Sequence, residues 1–566
     1  MLMPLQDSTV DIDRCFARPP QEDQVPTLVR PKPSLALRHG RSGGGAFVSA
    51  AELIAAALAL GAREVTGWSP AEAMLSRSAS KVPAGRLAEL RRAIDAGEDP
   101  LGDAFCRLRS PAQRRTQGAT YTPAAVVAAM LDMAEANQPP ERIVDPGTGS
   151  GRFVVAAGRR FPKARLLGIE LDPLAALVAR AHLAAAGMAE RSEVCVADFC
   201  RTPLPDARRT LFLGNPPYVR HHDLTAEAKH WLSTTALSLG LRASRLAGLH
   251  LHFLLAIASQ AAPGDRGVLI MADQWLDVNY GRLARELLLG PLGVHSIKII
   301  EPTVAAFADA QTTAAIVRFE VGTVPTHVEL ARVAQLDELA SPIASVRLPR
   351  EQLAAASRWS PLSRPAVRRP AGFVELGEVC RVSRGQATGA NQVWIEGAGG
   401  VDLPARFLFP CVTRARELFA LSGALDDSST LRRVVDLPGE LDLLDKVERE
   451  QVERFLRTAR AAGVAEGYLA RHRKAWWSVG LLPPAPLLAT YMARRPPAFV
   501  RNRVAARNLN IAHGIYPRQP LSEAALEALR IALTQAGSQH VGRIYAGGLT
   551  KFEPREMQRL LVPRPE

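Results

Sequence analysis

Two short stretches carry residue types that could do chemistry. The first is Asn215-Pro216-Pro217-Tyr218, which follows the apolar run TLFLG (210–214). Two adjacent prolines fix two φ angles and remove two backbone donors, so the segment cannot continue a central sheet ladder. It reads as a stiff loop leaving a strand end and presenting one amide and one ring, the kind of place where scaffolds carry function. A Pro-rich turn with a polar cap would have the same composition. The second stretch is DPGTGSGRF (145–153), where Gly147, Gly149 and Gly151 permit a tight turn and close approach of a ligand to the backbone.

The surroundings of the glycines narrow the ligand. Glu170 ends the next apolar run, nineteen positions after Gly151, where a carboxylate can accept both hydroxyls of a ribose. Asp198-Phe199 ends the run after that, offering an acceptor for an adenine amino group and a ring to lie against its face. Asp145 precedes the glycines, and a negative charge there disfavours a pyrophosphate while suiting an ammonium. Ribose, adenine and a cationic amino-acid tail together describe S-adenosylmethionine.

These residues need strand ends to hold them, and the flanking text supplies them. RIVDP (142–146), ARLLGIELD (164–172), SEVCVADF (192–199) and TLFLGNPPY (210–218) read as strands. Helices are expected through Arg160, from Pro173, over 250–261 and over 281–289. GVLIMADQW (267–275), VHSIKIIEP and TTAAIVRFEV complete the series. Such alternation implies an α/β fold with a doubly wound, mostly parallel sheet covered on both faces, whose ligands sit at the carboxyl ends of the strands.

The arrangement resembles the adenine-N6 DNA methyltransferases of restriction–modification systems, specifically the gamma class of the TaqI methyltransferase type. The order carries the likeness: DPGTGSGRF first, NPPY second and a separate domain last. RRTQGATYTPAAVVAAML (114–131) resembles the cofactor-covering segment, which implies Tyr121 and Thr122 at the methionine tail. FADAQTTAAIVRFE (307–320) resembles the segment whose leading aromatic, here Phe307, packs against the target base. LGEVCRVSRGQATGANQVWI (376–395) and GRIYAGGLTKFEPREMQRLLVP (542–563) resemble the two ends of the recognition domain. The family's first motif often has Ala-Cys where this chain has Gly147-Thr148. The resemblance implies a class I, Rossmann-like methyltransferase fold, with Pro217 on the cofactor side of its loop.

That chemistry explains the loop. The adenine amino nitrogen is a poor nucleophile because its lone pair is delocalised into the ring. The Asn215 amide oxygen and the Pro216 carbonyl can each accept one amino hydrogen, localising the lone pair for in-line attack. Tyr218 supplies a stacking face and Phe307 a second contact. A paired base cannot reach such a pocket and must be flipped out of the duplex.

Around this core the expected organisation is a flexible arm over 1–45, a helical region over 46–112 and the methyltransferase domain over 113–355. A linker over 356–372 leads to a mixed α+β target-recognition domain over 373–566. From Arg471 to Pro520 there is no Asp or Glu, although the chain holds 56 acids. Arg471, Arg473, Lys474, Arg494, Arg495, Arg501 and Arg503 in that stretch are the candidate phosphate contacts, with Trp476, Trp477, Tyr491 and Tyr516 interleaved.

Composition bounds the rest. A net charge of +14 and a pI near 9.9 favour an acidic partner, with double-stranded DNA first. The six cysteines contain no C-x-x-C pair, and helical spacing would point His250 and His252 to different faces, so no metal site is expected. The N-terminus is acidic where a signal peptide would be basic, and no apolar run is long enough to span a bilayer, so a cytoplasmic protein is the expectation, and the absence of a heptad or an obvious apolar interface segment points to a monomer. A restriction endonuclease acting on the same site would be a separate chain. RNA base or protein-glutamine methylation is the alternative use of NPPY, and cytosine-N4 methylation would use similar chemistry, although the motif order favours adenine. Cytosine-C5 methylation needs a Cys nucleophile, and Pro410-Cys411 lies beyond the linker.

Overall fold

The computed structural model describes residues 47, 49–109, 122–207, 209–301, 313–339, 342, 345–363, 369–396, 401–537, 543–545 and 549–565. The 1–45 arm, Tyr121 and Phe307 lie outside the described residues. The chain divides into two compact units, Met1–Pro365 and Ala366–Glu566.

The first unit begins with helices α1 (Ala50–Ala59), α2 (Pro70–Ser76), α3 (Ala84–Asp95) and α4 (Pro100–Leu108). Ser69 and Asp99 cap α2 and α4, each with Pro in the first turn. Then α5 (Ala124–Met133) leads into β1 (Arg142–Pro146), α6 (Arg152–Arg160), β2 (Arg165–Glu170) and α7 (Pro173–Ala185). β3 (Ser192–Val196), β4 (Thr210–Gly214), α8 (Ala226–Ser238), α9 (Leu249–Gln260) and β5 (Arg266–Ala272) follow. After them come α10 (Arg282–Leu289), β6 (Val294–Ile300) and β7 (Ala314–Glu320).

These strands form the expected sheet, ordered β3-β2-β1-β4-β5-β7-β6. The first five run parallel and β7 is antiparallel to both its neighbours. Strand β4 reads apolar throughout because it is buried on both faces. The sheet also extends beyond the expected series. β8 (His327–Val333) pairs with β6, and β9 (Ser345–Pro349) pairs with β8, giving nine strands among the described residues. Both carry polar residues on one face, as outer strands do, so their text lacks the apolar run that marks the central ones.

Apolar side chains cover both sheet faces. Phe212, Phe253, Trp275 and Trp359 lie in one cluster, and Val126, Met130, Phe153 and Ile270 in the other. Helix α7 is buried from Ala175 to Leu183 because the N-terminal helices cover its outer side, where Leu53, Ile54 and Phe105 meet Leu177 and Val178. A helix covered all round must be apolar all round. Arg180 and His182 are its exceptions: Arg180 pairs with the buried Glu72 and donates to the carbonyls of Val65, Thr66, Gly67 and Val194, and His182 Nδ1 meets Ser150 O.

The second unit mixes short strands with helices α11 (Lys446–Ala461) and α12 (Glu523–Gly537). Its five-stranded sheet runs in the order 380–384, 512–517, 487–490, 499–502 and 424–425. No helix among the described residues is long and apolar enough to cross a membrane.

Candidate active site

The glycine loop and the NPPY loop meet at the carboxyl ends of β1 and β4. Gly147, Gly149 and Gly151 have φ of +74°, +59° and +91°, left-handed values that disfavour any residue with a Cβ. The Gly147 and Thr148 amides donate to Ile169 O at 2.8 and 3.1 Å, folding the loop over the end of β2. Space matters as much as conformation. A Cβ on Gly147 would lie 3.4 Å from Pro217 Cδ, and one on Gly151 would lie 3.2 Å from Ala179 Cα. Glycine therefore lets the NPPY loop and α7 close on the same turn.

Asp145 is fully buried at the end of β1. Its Oδ2 accepts the Val154 amide at 3.3 Å, while Oδ1 has no hydrogen-bond partner. Burial pushes this carboxyl well above the usual carboxylate range, the Val154 amide opposes it, and the charge of Glu170 adds to it. A buried acceptor left open is costly, and a ligand ammonium would offset that cost. Glu170 takes the Gly149 amide on Oε2 at 2.8 Å and the Asp172 amide on Oε1 at 2.9 Å, and each oxygen keeps a second lone pair. Burial raises its pKa and those amides work against the rise.

Asp198 accepts the Cys200 amide on Oδ1 at 3.1 Å. Its Oδ2 is buried without a hydrogen bond, 3.8 Å from Arg201 Nε. Phe199 does not present an open face: its ring packs 5.3 Å from Phe253 and is 2 % exposed. It opens a short 3-10 turn capped by the Asp198 side chain.

In the NPPY loop, Asn215 Nδ2 donates to Thr122 Oγ1 at 3.1 Å, which brings the segment before α5 to the strand end. Pro216 is buried, while Asn215, Pro217 and Tyr218 are half-buried. The Tyr218 phenol is pushed up by burial and then by Asp273, so it stays neutral. His250 stands edge-on to the Tyr218 ring at 6.5 Å, and burial, then His252, pushes it down to about 3. His252 turns away to stack on Trp231. The Leu249 amide donates to Val219 O at 2.9 Å, tying the start of α9 to this loop. Among the described residues no group of three or more His, Cys, Asp or Glu could hold a metal.

The structure thus collects Thr122, Asp145, Gly147, Gly149, Gly151, Glu170, Asp198 and Asn215–Tyr218 about the carboxyl ends of β1 to β4. Sequence reasoning missed His250 and Phe253, whose spacing signals only helix, and Arg152 and Asp99. Asp99-Pro100 carries only the signature of a helix start.

The candidate phosphate contacts separate into two groups. Arg471, Lys474, Arg494, Arg495 and Arg503 are exposed. Arg495 lies over the Phe419 ring, and Arg503 pairs with Asp426 at 3.1 Å, an exposed pair of little intrinsic strength. Arg501 must be withdrawn: it is 3 % exposed, and its guanidinium binds the carboxylate and carbonyl of Glu523 at 2.6 and 2.9 Å. Arg473 is half-committed, donating to Ala387 O at 2.6 Å. The interleaved aromatics are also structural, since Trp476 packs against Trp394 and Trp477 Nε1 donates to Pro438 O at 2.9 Å.

Residues 97–290 match the N-6 DNA Methylase family, and residues 365–566 match the C-terminal domain family of type II methyltransferase M.Eco57I. The chain is 46% identical over 502 residues to the type II methyltransferase M.XamI of Xanthomonas campestris pv. amaranthicola, covering 88% of this chain and 94% of that one. It is 22% identical to the type II methyltransferase M.AccI of Acinetobacter calcoaceticus, over 78% of this chain and 84% of the relative. A solved structure of the type IIL restriction–modification enzyme MmeI in complex with DNA superposes with a TM-score of 0.48 at 13% identity, over 77% of this chain and 67% of that one. The chain belongs to the type II methyltransferases, the adenine-N6 DNA methyltransferases of restriction–modification systems.

Proposed function

We propose that this enzyme is of the gamma class, the TaqI methyltransferase type, and methylates a flipped adenine held by the NPPY loop. The observation that carries the reading is the meeting of the two loops, with Pro217 against Gly147 and a buried, open carboxylate oxygen on Asp145 behind them. The residues fit S-adenosylmethionine. Asp145 would take its ammonium, Glu170 its ribose hydroxyls and Asp198 its adenine amine, with the amides and surfaces of Gly147, Gly149, Gly151, Thr122 and Pro217 closing around it. When bound, the cofactor supplies a methyl group carried on a sulfonium.

The chain's own part is orientation. Asn215 Oδ1 and Pro216 O accept the two amino hydrogens, so the nitrogen lone pair is localised and aimed without prior deprotonation. The neutral phenol of Tyr218 gives the flipped base a face, buttressed by the edge of His250. Arg471, Lys474, Arg494, Arg495 and Arg503 would hold phosphates. We further propose that the enzyme acts as a monomer and protects DNA from a separate endonuclease of the same specificity. The match of residues 365–566 to a type II methyltransferase domain favours DNA over RNA or a protein glutamine.

Modified-base analysis of plasmid DNA from cells expressing the chain tests this reading. N6-methyladenine at one short motif is expected, with at least about a 100-fold loss in Asn215→Ala. N4-methylcytosine, or unmodified DNA from the wild-type chain, would contradict it.

A further inference from the structure

The partners of the site residues lead back to the N-terminal helices. Asp99 caps α4, and its Oδ1 accepts the Gly102 amide at 2.8 Å. A cap needs only that bond, yet two further donors, Ser150 Oγ and Arg152 Nε, converge on this carboxylate from the methyltransferase core. Oδ2 accepts from Ser150 Oγ in the glycine loop at 2.5 Å and from Arg152 Nε. His182 Nε2 stands 3.3 Å from Oδ1, while its Nδ1 lies 2.9 Å from Ser150 O. Asp99 is nearly buried, with 11% of its side chain exposed.

Arg152 passes the connection on. Its Nη1 donates to Thr122 O at 3.1 Å and its Nη2 to Asp103 Oδ1 at 2.6 Å. Thr122 precedes α5 in irregular backbone, so its place depends on such contacts. Its hydroxyl in turn meets Asn215 Nδ2 at 3.1 Å. The planar guanidinium fork is suited to this task, because it fixes two directions at once and is pre-organised.

We infer that Asp99 is a positioning residue for methyl transfer. Through Arg152 and Thr122 it sets where the Asn215 amide stands, and through Ser150 it holds the glycine loop to the same frame. The inference rests on the reading that Asn215 accepts the target amine. One carboxylate on a helix outside the sheet thereby registers the two halves of the site against each other. A displacement of about 1 Å in such a group costs on the order of 100-fold in rate, so the chain of contacts matters even though Asp99 touches neither substrate nor cofactor.

The test is the single-turnover rate of methyl transfer, measured on the full chain pre-bound to DNA carrying its site, with saturating labelled S-adenosylmethionine. The rate constant reports on folded molecules alone. Asp99→Asn is expected to slow it about 10- to 100-fold while the KM for DNA stays within about twofold. Thr122→Val should slow it similarly, and the double variant should be no slower than the slower single one, because both act on one chain of contacts. Should Asp99→Asn fail to fold, Arg152→Gln with Thr122→Val makes the same comparison. An Asp99→Asn enzyme with a lowered unfolding midpoint but a single-turnover rate within about twofold of wild type would overturn the inference, as would effects that multiply. Asn215→Ala run alongside separates the two claims: a wild-type rate there would refute the role of Asn215 itself.

Discussion

Arg180 on α7 and Asp145 at the end of β1 are both buried charges of one compact unit, and the protein treats them in opposite ways. Arg180 directs each guanidinium nitrogen at an acceptor, shared among Glu72 and four carbonyls. Asp145 has one oxygen on an amide and one on nothing. A buried charge with its partners complete is a structural bolt, here fastening the N-terminal helices to the sheet. A buried charge with a partner missing is costly to the fold and is retained for what binds there. Exposure divides the C-terminal arginines in a different way. Arg501 is held by Glu523, whereas Arg471 and Lys474 stand in solvent.

The largest effect should come from Arg180→Met. Removing it leaves the buried Glu72 without its counter-charge and takes a donor from four carbonyls, a loss of about 3–5 kcal/mol. Denaturant unfolding checks this, and a loss below about 1 kcal/mol would mean that the bolt is ornamental. A smaller contrast is expected among the C-terminal cations. Arg471→Gln and Lys474→Gln should each flatten the slope of log affinity against log salt by about one unit, with unchanged stability. Arg501→Gln should instead lower stability and leave the slope unchanged. If Arg501→Gln flattened the slope and the exposed pair did not, the division by burial would fail.

These contrasts mark what the sequence could reveal. The parallel strand–helix series and the strand-end residues were legible because their signals are local: glycines at alternate positions, two prolines after an apolar run, and an acid at or beside the end of β1, β2 and β3. The outer strands β8 and β9 were not, since a half-exposed strand lacks the continuous apolar text of β4 or β5. Arg501 and Arg503 look alike in sequence, and only the fold places Glu523, 22 positions away, beside the former. Phe199 looked like a stacking face because its position beside Asp198 is visible, but the direction of its ring is set by Phe253. The link from Asp99 to Asn215 crosses four separate segments, and no spacing rule encodes it.

The open Asp145 carboxylate is proposed as the seat of the cofactor's ammonium. The direct measurement compares the affinity of S-adenosylmethionine with that of its analogue lacking the amino group, in wild type and in Asp145→Asn, beside the unfolding midpoint of each cofactor-free protein. Burial raises the Asp145 pKa above its unfolded value, so the folded state binds the proton more tightly. Cofactor-free stability should therefore rise as pH falls through the folded pKa, and at neutral pH the Asn variant should be the more stable by about 0.5–2 kcal/mol. Wild type should prefer the complete cofactor by about 10- to 100-fold, and the variant should lose that preference while gaining stability. An Asp145→Asn protein that binds S-adenosylmethionine as wild type does, with the same discrimination, would contradict the claim.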